Sequence, residues 1–237
     1  MIKRLLETFA FFRAFAVDIL KFLLISAFPI VLIETSLSVY IIESEAQGYI
    51  KYVPSLLHLL YKPIYTGGFI YLMSLLVSQG NWDIRKCLSV GFNSWQNLIL
   101  VYFASSVIII AGIIAFIIPG LILFARLSLS EFVVVLEKTT AKKAITKSYG
   151  ISKPFTLEII GSTFLLSLVL AAISLLVQFG ANAISLNTYL LFVVIAMLGI
   201  ILESIVSILL FRFYDLSIKA QADPGNPEGK VRTHPDA

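Results

Sequence analysis

The sequence predicts an all-α, polytopic membrane protein with six transmembrane helices. Hydrophobic residues make up 59% of the 237 residues and charged residues only 14%, and the mean hydropathy is +0.94. Soluble domains have about a quarter of their residues charged. Six apolar runs follow one another, and a run of about 20 residues crosses the roughly 30 Å hydrocarbon core.

The six predicted spans lie in a membrane domain of residues 1–219. Their approximate bounds are 19–42, 54–78, 97–118, 121–136, 155–179 and 189–210. Gly67-Gly68 in the second span favours close helix contact there. Pro119-Gly120 joins the third and fourth spans and predicts a tight turn. Residues 220–237 are rich in Pro, Gly and charge, which predicts a disordered cytoplasmic tail.

Basic amphipathic segments precede the first, third and fifth spans. Residues 2–16 place apolar side chains at helical spacing, which predicts an interfacial helix in the headgroup plane, or else an extension of the first span. Residues 79–95 predict a second interfacial helix, and residues 138–153 predict a third. Each segment begins a unit with two spans. Three parallel helix-hairpin repeats are one interpretation, and an ordinary six-span arrangement is the other.

The distribution of basic residues predicts the orientation of the chain. Lysines and arginines fall on the side that holds both termini, whereas Lys51 falls on the other side. Because loops rich in Lys and Arg stay in the cytoplasm, both termini and the interfacial helices are predicted to be cytoplasmic. The formal net charge of +4 is explained by this topology, so nucleic acid is not a predicted partner. The single cysteine, Cys87, excludes an intramolecular disulfide.

Ionisable residues inside the predicted spans are the first candidate site residues, because an unpaired charge in hydrocarbon costs several kcal/mol. They are Glu34, Lys62, Arg126, Glu131 and Glu203. At about 1.5 Å per residue, Glu34 matches Lys62 in depth, and Arg126 matches Glu203. These depths predict two ion pairs, Glu34 with Lys62 and Arg126 with Glu203. Such pairs either fix the register of the helices or line a polar path.

Four lysines after the fourth span form a second candidate site, which we call the lysine cluster. Its members are Lys138, Lys142, Lys143 and Lys147. They lie one to two turns apart on the third amphipathic segment. One interpretation is a determinant of topology, and the other is a surface that binds anionic lipid headgroups or an acidic partner.

The sequence argues against enzymatic chemistry. His58 and His234 are the two histidines, which cannot supply a His-based metal centre or a Ser-His-Asp triad. No glycine-rich phosphate loop of known spacing is present. The chain is therefore predicted to be a non-enzyme without cofactor or metal. The favoured function is membrane lipid or envelope homeostasis, or service as a membrane-embedded partner of other proteins. The alternative is a small permease with a polar path for a small molecule, ion or lipid.

Three features between residues 119 and 154 resemble a known family. They are the turn Pro119-Gly120, the Val-Val-Leu-Glu step that ends at Glu137, and the spacing of Ala144 and Ser148. These features resemble the YciC-like family of bacterial inner-membrane proteins, and a related pattern occurs in the membrane domain of some glycerophosphodiester phosphodiesterases. The resemblance implies six helices in a cell inner membrane. It implies no chemistry.

Overall fold

The computed structural model describes residues 2–44, 48–78, 80–183 and 187–222. These residues are helical and contain no β-strand, which confirms the all-α prediction. The α-helices of this part are α1 (Ile2–Ala14), α2 (Ala16–Ser26), α3 (Phe28–Glu43), α4 (Val53–Val77), α5 (Ile84–Ala115), α6 (Ile117–Leu127), α7 (Ser130–Glu137), α8 (Ala141–Ile151), α9 (Thr156–Ala183) and α10 (Thr188–Ala222). The predicted tail lies outside the described residues from position 223, and α10 continues to Ala222.

Several helices have the length and apolar character that a membrane crossing requires. Within the described residues, four segments qualify: Ile84–Ala115, Ile117–Glu137, Lys153–Gly180 and Tyr189–Gln221. The pair α2 and α3 is a fifth candidate. The helix α4, which was predicted as the second span, is not in this group because His58, Lys62 and several tyrosines reduce its hydropathy. These apolar helices are those of a multi-pass membrane protein.

The predicted first span is a bent pair of helices. The helix α2 ends at Ser26, and α3 begins at Phe28 with a bend of 47° between the two. Pro29 has no N–H to donate to the carbonyl four residues earlier, so the helix cannot continue undisturbed. The Tyr61 hydroxyl of α4 donates a hydrogen bond to the Ser26 carbonyl at this break. Pro29 therefore explains the bend, and Tyr61 pairs with a backbone carbonyl at the break.

The predicted second interfacial helix, residues 79–95, does not exist as a separate element. The helix α5 begins at Ile84, where the Asp83 carboxylate accepts a hydrogen bond from the Arg85 N–H at 3.2 Å. It then continues without interruption to Ala115. No proline or helix-ending glycine separates the amphipathic stretch from the apolar stretch. The prediction was wrong because the change from amphipathic to apolar sequence does not interrupt the helical backbone.

The reversal between the third and fourth predicted spans lies earlier than expected. It occurs at Phe116, whose extended backbone (φ −163°, ψ 147°) separates α5 from α6. Pro119 lies in the first turn of α6, where backbone N–H groups have no partner within the helix. The missing N–H of proline therefore costs no hydrogen bond there. A Cβ atom on Gly120 would lie 2.8 Å from the Ile113 backbone nitrogen. Pro119-Gly120 thus starts a helix and allows close packing, and the predicted tight turn there was wrong.

Glycines also allow α4 and α5 to cross at very short distance. A Cβ atom on Gly91 would lie 2.0 Å from the Ile64 carbonyl oxygen, and one on Gly67 would lie 2.9 Å from the Gly91 Cα. A Cβ on Gly68 would likewise lie 3.0 Å from the Cys87 carbonyl oxygen. Small residues that bring backbones together are typical of helix contacts in membranes. The predicted close contact at Gly67-Gly68 is confirmed.

The helix α1 packs against the last two helices of the described chain. It contacts α10 and α9, and its buried residues are Arg4, Thr8 and Phe11. Its Ile2 and Leu6 side chains face away from the bundle and are 67% and 65% exposed. The bundle is therefore closed by a contact between elements that are far apart in sequence.

Candidate functional site

An ion pair joins α4 and α10 inside the bundle. Lys62 Nζ lies 2.5 Å from Glu203 Oε1, and the Tyr65 hydroxyl donates to Glu203 Oε2 at 3.4 Å. Lys62 and Tyr65 are three residues apart on α4, so they lie on one side of that helix. The side chains of Lys62 and Glu203 are 32% and 43% exposed. The pair is therefore partly open on one side.

Glu34 has a different partner from the one that the sequence predicted. Its Oε2 atom lies 3.3 Å from His58 Nδ1, one turn of α4 before Lys62. Its Oε1 atom is buried without a hydrogen-bond partner in the described part of the chain. The predicted Glu34–Lys62 pair was wrong because equal depth does not fix the direction of a side chain around its helix.

Arg126 connects α6 with α8. Its Nη1 atom donates to the Tyr149 carbonyl at 2.9 Å, and the guanidinium lies over the Tyr149 ring at 4.9 Å from the centroid. The Ser148 hydroxyl donates to the Arg126 carbonyl at 2.7 Å, and the Ser152 hydroxyl oxygen lies 3.1 Å from the same carbonyl. The predicted Arg126–Glu203 pair was wrong, because α8 provides these partners and Glu203 binds Lys62.

The helix α8 runs back alongside α7. Its first residue, Ala141, donates its N–H to Asn97 Oδ1 of α5 at 3.3 Å, whereas its other end reaches Arg126. The chain reverses at Lys138, whose backbone is left-handed (φ 50°, ψ 45°). Ala144 and Ser148 are fully buried in the face that packs on the bundle. The lysine cluster is thus carried by a helix that is fixed at both ends.

The lysine cluster divides into two kinds of residue. The side-chain amines of Lys138, Lys142 and Lys143 are exposed and make no hydrogen bond or ion pair within the described residues, and the last two of these lysines lie on α8. Lys147 Nζ lies 2.7 Å from Glu137 Oε2, and Glu137 Oε1 accepts a hydrogen bond from the Tyr214 hydroxyl at 2.9 Å. Lys147 therefore stabilises the contact of α7, α8 and α10. Lys142 and Lys143 remain available to a ligand.

Glu131 lies beside a cavity of about 190 Å³ between α5, α6 and α7, which we call the Glu131 cavity. Its lining residues are Val101, Tyr102, Ser105, Ser106, Ile109, Phe124, Leu127, Ser128, Ser130 and Glu131. The Tyr102 hydroxyl donates to Glu131 Oε2 at 2.9 Å. The Ser105 hydroxyl oxygen is buried and has no partner in the described part of the chain. The cavity occurs where the helix breaks between α6 and α7, at Ser128 and Leu129.

The polar groups of α4 lie next to those of the Glu131 cavity. Thr66, which is buried, lies beside the hydroxyls of both Tyr65 and Tyr102. A second cavity next to Tyr65, Thr66 and Glu203 has a volume of about 10 Å³, which is room for roughly one water molecule. Tyr65 lies near Glu34 and Glu203, and Glu131 lies near Lys62 and Glu203, so these groups form one polar region. Arg126 is not part of it, because its partner is Tyr149 of α8.

The sequence identified the acidic and basic members of this region but not its tyrosines. Tyr65 follows Lys62 by three residues, a spacing that points to a shared helix face. Tyr102 carries no such signal, since aromatic residues in a span are counted as apolar. No family model, curated protein or solved structure matches this chain.

Proposed function

We propose that this chain is a non-enzymatic integral membrane protein that binds anionic lipid headgroups and acts in membrane lipid or envelope homeostasis. One observation supports this function above the others. Lys142 and Lys143 extend without a partner, among the described residues, from a helix whose opposite face is buried. A fixed pair of cations binds an anionic headgroup without first ordering a loop, and each lysine near an anionic leaflet contributes about 1 kcal/mol.

The double substitution Lys142→Gln with Lys143→Gln is expected to reduce the anionic lipid that co-purifies with the protein. At about 1 kcal/mol per lysine, the affinity should fall roughly 30-fold for the two. The lipid content is measured by mass spectrometry after identical extraction, at low and at high salt. Raised salt should reduce lipid binding to the unmodified chain, because these charges are screened.

Lys147→Gln is the matched control for this experiment. It removes the same charge from the same helix, but that charge is already neutralised by Glu137 at 2.7 Å. Its lipid content should stay close to that of the unmodified chain. Equal lipid loss in both variants would show that the net charge matters rather than these two lysines. Unchanged lipid in the double variant would contradict the proposal, and an acidic protein retained only by the unmodified chain would redirect it to a protein partner.

We also propose six crossings of a bacterial inner membrane, with both termini in the cytoplasm and α4 as the crossing that hydropathy alone leaves out. The asymmetry of Lys and Arg supports this orientation. The resemblance to the YciC-like family supports the number of spans. Each of the three helix-hairpin repeats would then contain one pair of crossings, formed by α2–α3 with α4, by α5 with α6–α7, and by α9 with α10.

Single cysteines on the two sides of α4 test this topology in a chain whose Cys87 is replaced by serine. Tyr49→Cys, at a residue that is 91% exposed, should react with an impermeant maleimide added to intact cells. Lys86→Cys and Thr140→Cys should react only after the cells are permeabilised. Labelling of Lys86→Cys in intact cells would show that α4 does not cross, and labelling of Thr140→Cys would invert the orientation.

The second candidate function is a small permease. The continuous polar region from Glu34 through Glu203 to Glu131 favours it, since ionisable groups inside spans mark substrate and ion paths in many transporters.

A further inference from the structure

Three of the hydroxyl groups that line the Glu131 cavity already use their protons in hydrogen bonds. The hydroxyl of Ser128 donates to the Ala125 carbonyl at 2.9 Å, and that of Ser130 donates to the Leu127 carbonyl at 2.5 Å. The Tyr102 hydroxyl donates to Glu131. Because a hydroxyl group has one proton, these three oxygens can offer only lone pairs to an occupant.

Donors are scarce in the same cavity. Among the described residues that line it there is no Lys, Arg, His, Asn or Gln. The buried Ser105 hydroxyl has no partner in the described part of the chain. Buried polar groups are normally paired, and a buried carboxyl group that is ionised needs a compensating positive charge. The cavity therefore lacks a cation or a strong donor.

Neighbouring charges do not supply what is missing. Lys62 and Glu203 are close enough to act on the charge of Glu131, but they do so with opposite signs and they are bound to each other. The carboxyl group of Glu131 is therefore either protonated or paired with a cation that an occupant supplies.

We infer that the Glu131 cavity binds a monovalent cation, either Na⁺ with its waters or a small primary ammonium ion. One carboxylate with several hydroxyl oxygens suits a hard, singly charged ion. Calcium and zinc need more charged or nitrogen and sulfur ligands, and no three His, Cys, Asp or Glu side chains gather in the described residues. A volume of about 190 Å³ exceeds that of a bare ion and leaves room for several waters or a short carbon chain. This inference rests on the second candidate function and is independent of lipid binding by α8.

Equilibrium binding of ²²Na⁺ to the purified full-length chain tests this inference, with N-methyl-D-glucamine chloride keeping the ionic strength constant. Saturable binding of one Na⁺ per chain is expected, with competition by methylammonium. Glu131→Gln should weaken binding by at least about tenfold, because an interaction with a charged group is lost. Glu158→Gln is the matched control. It neutralises an exposed carboxylate in the first turn of α9, outside the cavity and the polar region, and should leave the affinity within about twofold of the unmodified value.

Ser105→Ala keeps the test decisive if Glu131→Gln does not fold. Removing a buried hydroxyl that has no partner should not destabilise the protein, since no hydrogen bond is lost. The same change should weaken Na⁺ binding severalfold if Ser105 coordinates the ion. Thermal stabilisation by methylammonium without Na⁺ binding would identify the ammonium ion as the occupant. The inference would be overturned if Na⁺ binding were not saturable and the midpoint of thermal unfolding were the same in the chloride salts of Na⁺, methylammonium and N-methyl-D-glucamine. The Glu131→Gln variant should co-purify with the same amount of anionic lipid as the unmodified chain. Failure of cation binding can therefore be distinguished from failure of lipid binding by the α8 lysines.

Discussion

Adding one methyl group at Gly91 is expected to lower the free energy of unfolding by roughly 3 kcal/mol, at the upper end of overpacking effects. The new Cβ of Gly91→Ala would lie 2.0 Å from the Ile64 carbonyl oxygen and 2.9 Å from the Gly68 nitrogen. Both are backbone atoms of α4, so no change of rotamer can relieve the overlap. The two helices must separate, and the contacts along their whole crossing weaken with that movement.

Gly199→Ala is the control for this prediction. Gly199 lies in α10, and a Cβ atom there would have nothing within 4 Å. Alanine should therefore be neutral or stabilise the helix by up to about 1 kcal/mol. The folded fraction of each variant is measured by size-exclusion chromatography in detergent after heating across a range of temperatures. Equal midpoints for the two variants would show that α4 and α5 do not cross so closely.

Replacement of Lys62 by methionine is expected to lower the free energy of unfolding by about 2 to 3 kcal/mol. The loss leaves the Glu203 carboxylate with the Tyr65 hydroxyl, 3.4 Å away, as its remaining partner among the described residues. Breaking a fully buried pair costs roughly 3 to 5 kcal/mol. We expect less here because the two side chains are 32% and 43% exposed. Lys62→Met combined with Glu203→Met should cost much less than Lys62→Met alone, since no charge is then left uncompensated.

A double-mutant cycle on unfolding in detergent measures the coupling of this pair. Lys219→Met is the matched control, because Lys219 makes an ion pair with Asp215 on the same helix and is 61% exposed. Exposed pairs of this kind contribute little, so the change should stay within about 0.5 kcal/mol. If the single and double variants at Lys62 and Glu203 unfold alike, the two residues are not coupled.

Composition and hydropathy were enough to predict the all-α fold and the ionisable residues that gather inside the bundle. They could not predict which of these residues meet. Depth along a helix is one coordinate, and the direction of a side chain around the axis is another, which depends on packing. Glu34 therefore contacts His58, and Lys62, one turn further on, contacts Glu203.

Helix boundaries were harder to predict than helix existence. Pro119 is as compatible with the first turn of a helix as with a turn between helices, so the sequence does not separate the two. The structure places the reversal at Phe116 instead. The Glu131 cavity had no signal in the sequence beyond Glu131 itself. Its serines are common residues, and their role depends on the break between α6 and α7.

The contact of α1 with α9 and α10 has a consequence for the order of folding. Chains are synthesised from the N-terminus, and early segments fold first when their partners are local. The helices α4, α5 and α6 contact one another in sequence order, so they can assemble as they enter the membrane. The helix α1, which buries Arg4, Thr8 and Phe11, also contacts α2 but packs mainly against α9 and α10, which are made much later. This segment must therefore wait at the membrane through most of synthesis, and its docking is the step that closes the bundle.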